Sequence, residues 1–299
     1  MKILVTGTDG QLGFDMIRTL FNNKIEHCAI GRSELDLRNF EKTRNYICSY
    51  LPDVIVHCAA YTSVDRAENE KELCRMVNVD VTDNISQICK EIGSSLVYIS
   101  TDYVFAGEGT KPYEVDSLTD PTTVYGQSKL DGENKVLSHL DKYFIVRTSW
   151  SFGINGNNFI KTMLKLGTEN EFVNVVGDQI GSPTYTKDLA EVIVQLIQTN
   201  NYGIYHITNE GFCSWADFAS YVFESSNINT KVRSITSEEY SAIAQRPYNS
   251  RLSKSSLDDA KLPRLPHWKD AVNRYLKELN ANISKSNEGT IDNEIFGEF

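Results

Sequence analysis

The stretch Ile3-Leu4-Val5-Thr6-Gly7-Thr8-Asp9-Gly10-Gln11-Leu12-Gly13 decides the fold. The apolar run Ile3 to Val5 reads as a buried strand and gives way at once to Gly7, Gly10 and Gly13. From Gln11 to Asn22 the apolar residues Leu12, Met16, Ile17 and Leu20 recur at helical spacing. Strand, glycine turn and helix in immediate succession open a βαβ unit. Glycine lets the backbone turn sharply and approach a pyrophosphate, whose charge then sits at a helix N-terminus. The G-x-x-G-x-x-G spacing departs from the G-x-G-x-x-G fingerprint. The plain alternative is a tight turn with no ligand, but the strand–glycine–helix context favours a nucleotide.

Working outward, Glu26 to Ile30, Val54 to Cys58, Leu96 to Ser100 and Phe144 to Val146 read as further strands. They alternate with helical patterns over Phe40 to Leu51, Asn69 to Ile92 and Val124 to Leu140. Such alternation implies an α/β fold: a doubly wound parallel sheet of Rossmann type, with right-handed crossovers and a ligand at the carboxyl ends of the strands. After Trp150 the pattern loosens, with helical segments at Asn158 to Leu166, Lys187 to Thr199, Ser214 to Ser225 and Trp268 to Leu279. The expected organisation is a dinucleotide-binding domain over 1–150, rejoined by about 184–208, and a smaller C-terminal substrate-binding lobe from 151–183 and 209–280. The polar, aperiodic stretch 281–299 reads as a mobile tail.

The chain has 299 residues, enough for a core with an appended lobe. The 30 basic and 40 acidic residues leave a net charge of −10, which argues against a nucleic-acid partner. No segment has the length and apolarity of a membrane span or the core of a signal peptide. The six cysteines form no C-x-x-C pair and the five histidines are dispersed, so no zinc pattern exists and reduced thiols in a cytoplasmic protein are expected.

Two positions speak to the cofactor. About 20 residues past the glycines, where an acidic residue would hold a ribose 2′-hydroxyl, the sequence is Ile30-Gly31-Arg32-Ser33. Arginine pairs with a 2′-phosphate, so NADP(H) is preferred, with NAD(H) the alternative; a solvated Arg32 is the bland reading. Asp36 and Leu37 follow, where an adenine contact is plausible. Ala59, Ala60 and Tyr61 follow the third strand, and small side chains there would let a cofactor lie close to the backbone.

Tyr125 and Lys129 form Y-x-x-x-K on one face of a helix. An ammonium nearby favours phenolate and is expected to lower the tyrosine pKa into catalytic range. Alone, the pair would be a surface aromatic–lysine contact. It gains weight from Thr101, at the carboxyl end of the fourth strand, whose hydroxyl could hydrogen-bond a carbonyl. Glycine loop, Thr101, Tyr125 and Lys129 in this order resemble the extended short-chain dehydrogenases/reductases.

The resemblance sharpens in G-x-x-G-Q-L-G (Gly7 to Gly13), A-A-Y-T-x-V-D-x-A-E (Ala59 to Glu68), S-T-D-Y-V-F (Ser100 to Phe105) and Y-G-x-S-K-L-x-G-E (Tyr125 to Glu133). R-T-S-W (Arg147 to Trp150), D-Q-x-G-x-P-T (Asp178 to Thr184) and R-P-x-N-S-R-L (Arg246 to Leu252) extend it to about Leu279. Together they resemble the dTDP-4-dehydrorhamnose reductase family. That resemblance implies NAD(P)H-dependent reduction of the C4 keto group of a nucleotide-linked 4-keto-6-deoxy sugar, in the family dTDP-4-dehydro-L-rhamnose to dTDP-L-rhamnose. It implies Thr101, Tyr125 and Lys129 as catalytic. It implies Gly7, Gly10, Gln11, Leu12, Gly13, Arg32, Asp36, Leu37, Ala59, Ala60 and Tyr61, with Tyr125 and Lys129, around the cofactor. For the substrate it points to Tyr103, Trp150 as a platform for a sugar face, and Asn249 with Arg251, whose guanidinium suits a diphosphate.

Dehydratases of the superfamily resemble T-D-E where this chain has Thr101-Asp102-Tyr103; the missing second carboxylate argues against elimination, and Asp102 reads as a turn carboxylate. Asp15 stands near a counterpart of an interface magnesium site found in some relatives. Lys187 falls where another carboxylate would be wanted, so no required metal is expected. The expected partners are the nucleotide sugar and, as an option, a second copy of the chain. The competing readings are a reductase for another sugar nucleotide, such as one forming 6-deoxytalose, and a non-catalytic NADP-binding regulatory subunit.

Overall fold

The computed structural model describes residues 1–287. Its centre is a six-stranded, wholly parallel sheet. In chain order the strands are β1 (Ile3–Thr6), β2 (His27–Ile30), β3 (Val54–His57), β4 (Ser95–Thr101), β5 (Tyr143–Thr148) and β6 (Gly203–His206). Their spatial order is β6-β5-β4-β3-β1-β2. The order reverses between β1 and β3, and a crevice opens there at the carboxyl ends.

Successive side chains on a strand face opposite ways, so a sheet covered on both faces must be apolar at every position. Ile3, Val5, Val54, Val56, Val97, Phe144, Val146 and Tyr205 enter one core with α1 (Gln11–Asn22). Leu4, Ile55, Leu96, Tyr98 and Ile145 enter the other, against α2 (Phe40–Tyr50), α3 (Val81–Ile92) and α4 (Val124–His139). The stretch 69–92 is not one helix. It comprises α-helical Lys71–Arg75, a π-turn at Met76–Asp80 and then α3.

A third core lies in a second lobe. It joins α5 (Phe159–Glu169), α7 (Trp215–Ser225), α8 (Trp268–Asn287) and Tyr185, the residue before α6 (Thr186–Leu196), whose own Leu189, Ala190 and Ile193 enter the first core. Phe172–Val176 and Lys231–Ile235 pair there as a small parallel ribbon. The expected tail is corrected at its start. Residues 281–287 continue α8, because Trp268, Ala271, Val272, Tyr275 and Leu276 anchor one helical stripe into the lobe. The rest of that expectation, 288–299, lies outside the described residues. Among the described residues no helix is long and apolar enough to cross a membrane.

Candidate active site

The site begins at the glycine turn. Gly7 has φ +70°, and a Cβ there would come within 2.5 Å of Ala59 N. A Cβ on Gly13 would lie 2.2 Å from Gly7 O. These glycines therefore press the turn against the end of β3. Gly10 caps α1 without a side-chain hydrogen bond, so the first-turn N–H groups face the crevice uncapped by a side chain. This cradle fits a diphosphate: positive helix end, bare backbone and no side chain in the way. Gln11 offers it a backbone N–H, while its Oε1 accepts from Gly153 N (2.7 Å) and Asn158 Nδ2 (3.2 Å) of the second lobe. Leu12 packs on the core.

After β2, Arg32 is exposed and makes no ion pair among the described residues, while its N–H donates to Asp9 Oδ2 at 2.6 Å. Its guanidinium is thus available. Ser33 is committed, donating to Glu34. Asp36 is held by Arg38 through a two-pronged pair that lowers its carboxyl pKa, and Leu37 leans on the core.

Ala59, Ala60 and Tyr61 lie directly after β3. Tyr61 N donates to Asn78 Oδ1 (2.8 Å), and Asn78 Nδ2 donates to Tyr61 O (3.1 Å) and Ser128 Oγ (2.9 Å). Asn78 sits in the π-turn and so clamps this loop to α4 beside Lys129. An asparagine inside an apolar helical pattern was the sequence signal for it, and its burial to 1% exposure became visible only in the fold.

Thr101 ends β4, and Asp102–Val104 form a single 3₁₀ turn. The Thr101 hydroxyl donates to Asp102 Oδ1 (3.0 Å) and accepts from Tyr103 N (3.2 Å). The Tyr125 phenol, from the first turn of α4, lies beside it. That helix end is held by Thr123, which accepts from Gly126 N, and by Glu68, which accepts from Val124 N. Gly126 permits the approach, since a Cβ there would meet Tyr103 O at 2.3 Å. The Tyr103 and Tyr125 rings meet edge to face at 5.5 Å.

The expected direction of the Tyr125 shift is corrected. Burial dominates and pushes its pKa well above the ordinary phenol value; Thr101 partly offsets this, and Lys129 is not among the causes. Instead Lys129 itself, 2% exposed, is pushed down to about 7 by burial, with Glu133 partly opposing. Its Nζ sits 4.0 Å over the Tyr98 ring. Glu133 is otherwise engaged by Arg147 in a bidentate buried pair at 2.9 and 2.7 Å.

The second lobe closes the site. Trp150 has φ +48°, a left-handed conformation rare for a bulky residue, and stacks on Trp215 at 3.7 Å. Gly181 packs against its indole. Tyr103, pushed up to about 12 by burial, lies beside Arg246, which pairs with Asp65 at 2.6 Å. Asn249 is corrected as a substrate contact. Its Nδ2 donates to Glu108 O (3.0 Å) and Lys111 O (2.9 Å), and its Oδ1 accepts from Arg251 (2.9 Å). Every polar group of that amide is spent on holding loops together. Arg251 makes no ion pair among the described residues, and burial lowers its pKa. Beside it the sequence reading missed Lys254, 5% exposed, pushed down to about 8 by burial and 4.3 Å over Phe212.

Asp15 lies away from this crevice. It accepts from Thr186 and faces Arg18 at 3.3 Å, and Arg18 and Lys187 both pair with Glu278.

The family model described as the RmlD substrate binding domain matches residues 1–281. The spore coat polysaccharide biosynthesis protein SpsK of Bacillus subtilis is 42% identical over 280 residues, covering 94% of this chain and 98% of that one. A dTDP-4-dehydrorhamnose reductase of Aggregatibacter actinomycetemcomitans is 39% identical over 294 residues, covering 94% and 98%. The crystal structure of dTDP-4-dehydrorhamnose reductase from Bacillus anthracis in complex with NADP superposes with a TM-score of 0.90 at 40% identity, covering 93% and 99%.

Proposed function

Because the chain belongs to the dTDP-4-dehydrorhamnose reductase family, we propose that it reduces the C4 keto group of dTDP-4-dehydro-L-rhamnose to give dTDP-L-rhamnose, with NADPH as reductant. The observation that carries this reading is the Tyr125 phenol beside Thr101 at the end of β4, with Lys129 buried one turn further along the same helix. Gly7, Gly10, the Gln11 and Leu12 backbone, Gly13 and the Ala59–Tyr61 loop would hold the dinucleotide, with Arg32 at the 2′-phosphate. When bound, it supplies a hydride to the carbonyl carbon.

The chain's own residues manage the proton. Reduction makes an alkoxide, which needs an acid. Burial keeps the Tyr125 phenol protonated at neutral pH, so the acid form is the one present. The phenol transfers its proton to the carbonyl oxygen, while Lys129, one helical turn along the same face, would hold the nicotinamide ribose. Thr101 hydrogen-bonds the same oxygen. Arg251 and Lys254, which have no carboxylate partner in hydrogen-bond reach among the described residues, suit the substrate diphosphate. Trp150 offers its indole to the sugar.

Six unpaired cysteines support a reducing, cytoplasmic setting. The test is loss of reduced-nicotinamide absorbance with substrate generated in the same tube, and NMR of the product. Turnover to dTDP-L-rhamnose is expected. A different C4 epimer would overturn the product assignment, and NADPH binding without turnover would overturn the reaction.

A further inference from the structure

One buried group at this site has no place in the scheme above. Asp102 is 3% exposed, and the Ser250 hydroxyl faces its Oδ2, with neither atom in a well-formed hydrogen bond. No lysine or arginine pairs with the carboxyl among the described residues. A lone buried carboxylate is costly and is normally neutralised by a cation or a proton. Here it touches the reaction through a single atom, because Asp102 Oδ1 receives the Thr101 hydroxyl proton at 3.0 Å.

That hydrogen bond has a consequence for valence. A hydroxyl has one proton to donate. While Asp102 accepts it, the Thr101 oxygen can only receive hydrogen bonds, as it does from Tyr103 N. Thr101 then has nothing to give a substrate carbonyl. A neutral Asp102 reverses the pair: its own O–H donates to Thr101, and the Thr101 proton is freed to point at the carbonyl.

We infer that Asp102 is a positioning residue for this reductase: its carboxyl sets the direction of the Thr101 hydroxyl, and the neutral carboxyl is the form in which Thr101 serves the substrate. The inference rests on the reductase reading. The groups facing the carboxyl fit it. They are Thr101 on β4, Tyr103 on the same turn, Tyr125 on α4 and Ser250 from the second lobe, with Arg246 and Asp65 reached through Tyr103. None of the first four is a cation. Burial outweighs the Ser250 and Thr101 hydroxyls and pushes the carboxyl up to about 6. Closure over a substrate removes further water and favours the neutral form more.

The test is the pH profile of kcat/KM in wild type, Asp102→Asn, Ser250→Ala and Thr101→Val. The neutral form is the active one, so Asp102 adds a fall on the alkaline side of pH 6. Lys129 adds its own fall near 7 as it loses charge. With both titrated, wild-type kcat/KM should drop about a hundredfold per pH unit. Asn presents an N–H to Thr101 at every pH. In Asp102→Asn the slope should therefore halve to about tenfold per unit and begin near pH 7. Ser250→Ala removes a hydroxyl that holds the carboxyl down, so it should move the first fall to higher pH. With Thr101→Val there is no hydroxyl to turn, and adding Asp102→Asn should change nothing further. A wild-type profile superimposable on that of Asp102→Asn, or a Ser250→Ala profile unmoved, overturns the inference while leaving the reductase intact. Absence of wild-type turnover strikes the reductase reading itself.

Discussion

Replacing Lys129 by methionine should stabilise the protein while disabling it. The side chain is 2% exposed, and burial lowers its pKa from 10.5 to about 7. Each unit is about 1.4 kcal/mol of discrimination against the charged form. The folded state thus carries a cost of about 5 kcal/mol for this ammonium at pH 7 and below. Against this, the ammonium gains about 1–2 kcal/mol over the Tyr98 ring, which methionine gives up. Methionine matches the length of the stem, and the backbone carbonyl that receives the Tyr98 hydroxyl is untouched. The net gain is about 3 kcal/mol. Unfolding a chain of this size releases roughly 0.6 kcal/mol per kelvin, so Tm should rise by about 5 °C.

The sign of the pH dependence is fixed by the same shift. A group whose folded pKa is depressed loses stability as pH falls, from its unfolded pKa down through its folded one. The advantage of Lys129→Met is therefore largest below pH 7 and fades towards pH 10.5. Urea unfolding followed by circular dichroism at pH 6, 7.5 and 9 reads it directly. A variant less stable than wild type at pH 6, or an advantage equal at pH 6 and 9, refutes the argument that the lysine is held at the expense of the fold.

Tyr125→Phe should cut kcat by at least about a hundredfold, while NADPH affinity by fluorescence titration stays close to wild type. In Gly7→Ala, a methyl 2.5 Å from Ala59 N at φ +70° should displace the β1 turn and weaken NADPH binding more than tenfold, about 1.4 kcal/mol, by the same titration. Arg147→Met leaves the buried Glu133 without its bidentate partner and should cost roughly 3–5 kcal/mol in urea unfolding, whereas pairing it with Glu133→Gln should restore most of that. Arg32→Ala should raise KM for NADPH and leave KM for NADH nearly unchanged, narrowing the preference between them.

The sheet was legible because its signal is local. Val54, Ile55 and Val56 are apolar on both faces, as a strand buried between two layers of helix must be. The first helix was legible from glycine at its start and a regular stripe to Leu20. What escaped was whatever depends on partners distant in sequence. The ribbon of Phe172–Val176 with Lys231–Ile235 joins segments that nothing local connects. The π-turn at Met76–Asp80 keeps the apolar period of an ordinary helix while swinging Asn78 inward. Motif letters identified Asn249 but carried no record of its partners, so a loop clamp read as a substrate contact. Asp102 read as a turn residue, which it is, but the sequence could not tell that its turn is buried. The pKa ordering of Tyr125 and Lys129 was missed for the same reason: spacing reports proximity along a helix, and desolvation is set by what covers it.

The position of Gln11 has a thermodynamic corollary. Its backbone belongs to the helix end that would face a diphosphate, and its side chain grips Gly153 and Asn158 of the other lobe. Asn155 grips back, donating to Asp9 O. Any motion of the second lobe therefore pulls on the nucleotide cradle, and any tightening of the cradle pulls on the lobe. Linkage requires such coupling to be reciprocal in free energy. Dinucleotide bound first would spare the sugar nucleotide part of the entropy of ordering its own lobe, and the two ligands would cooperate across a boundary that Gln11 and Asn155 both span.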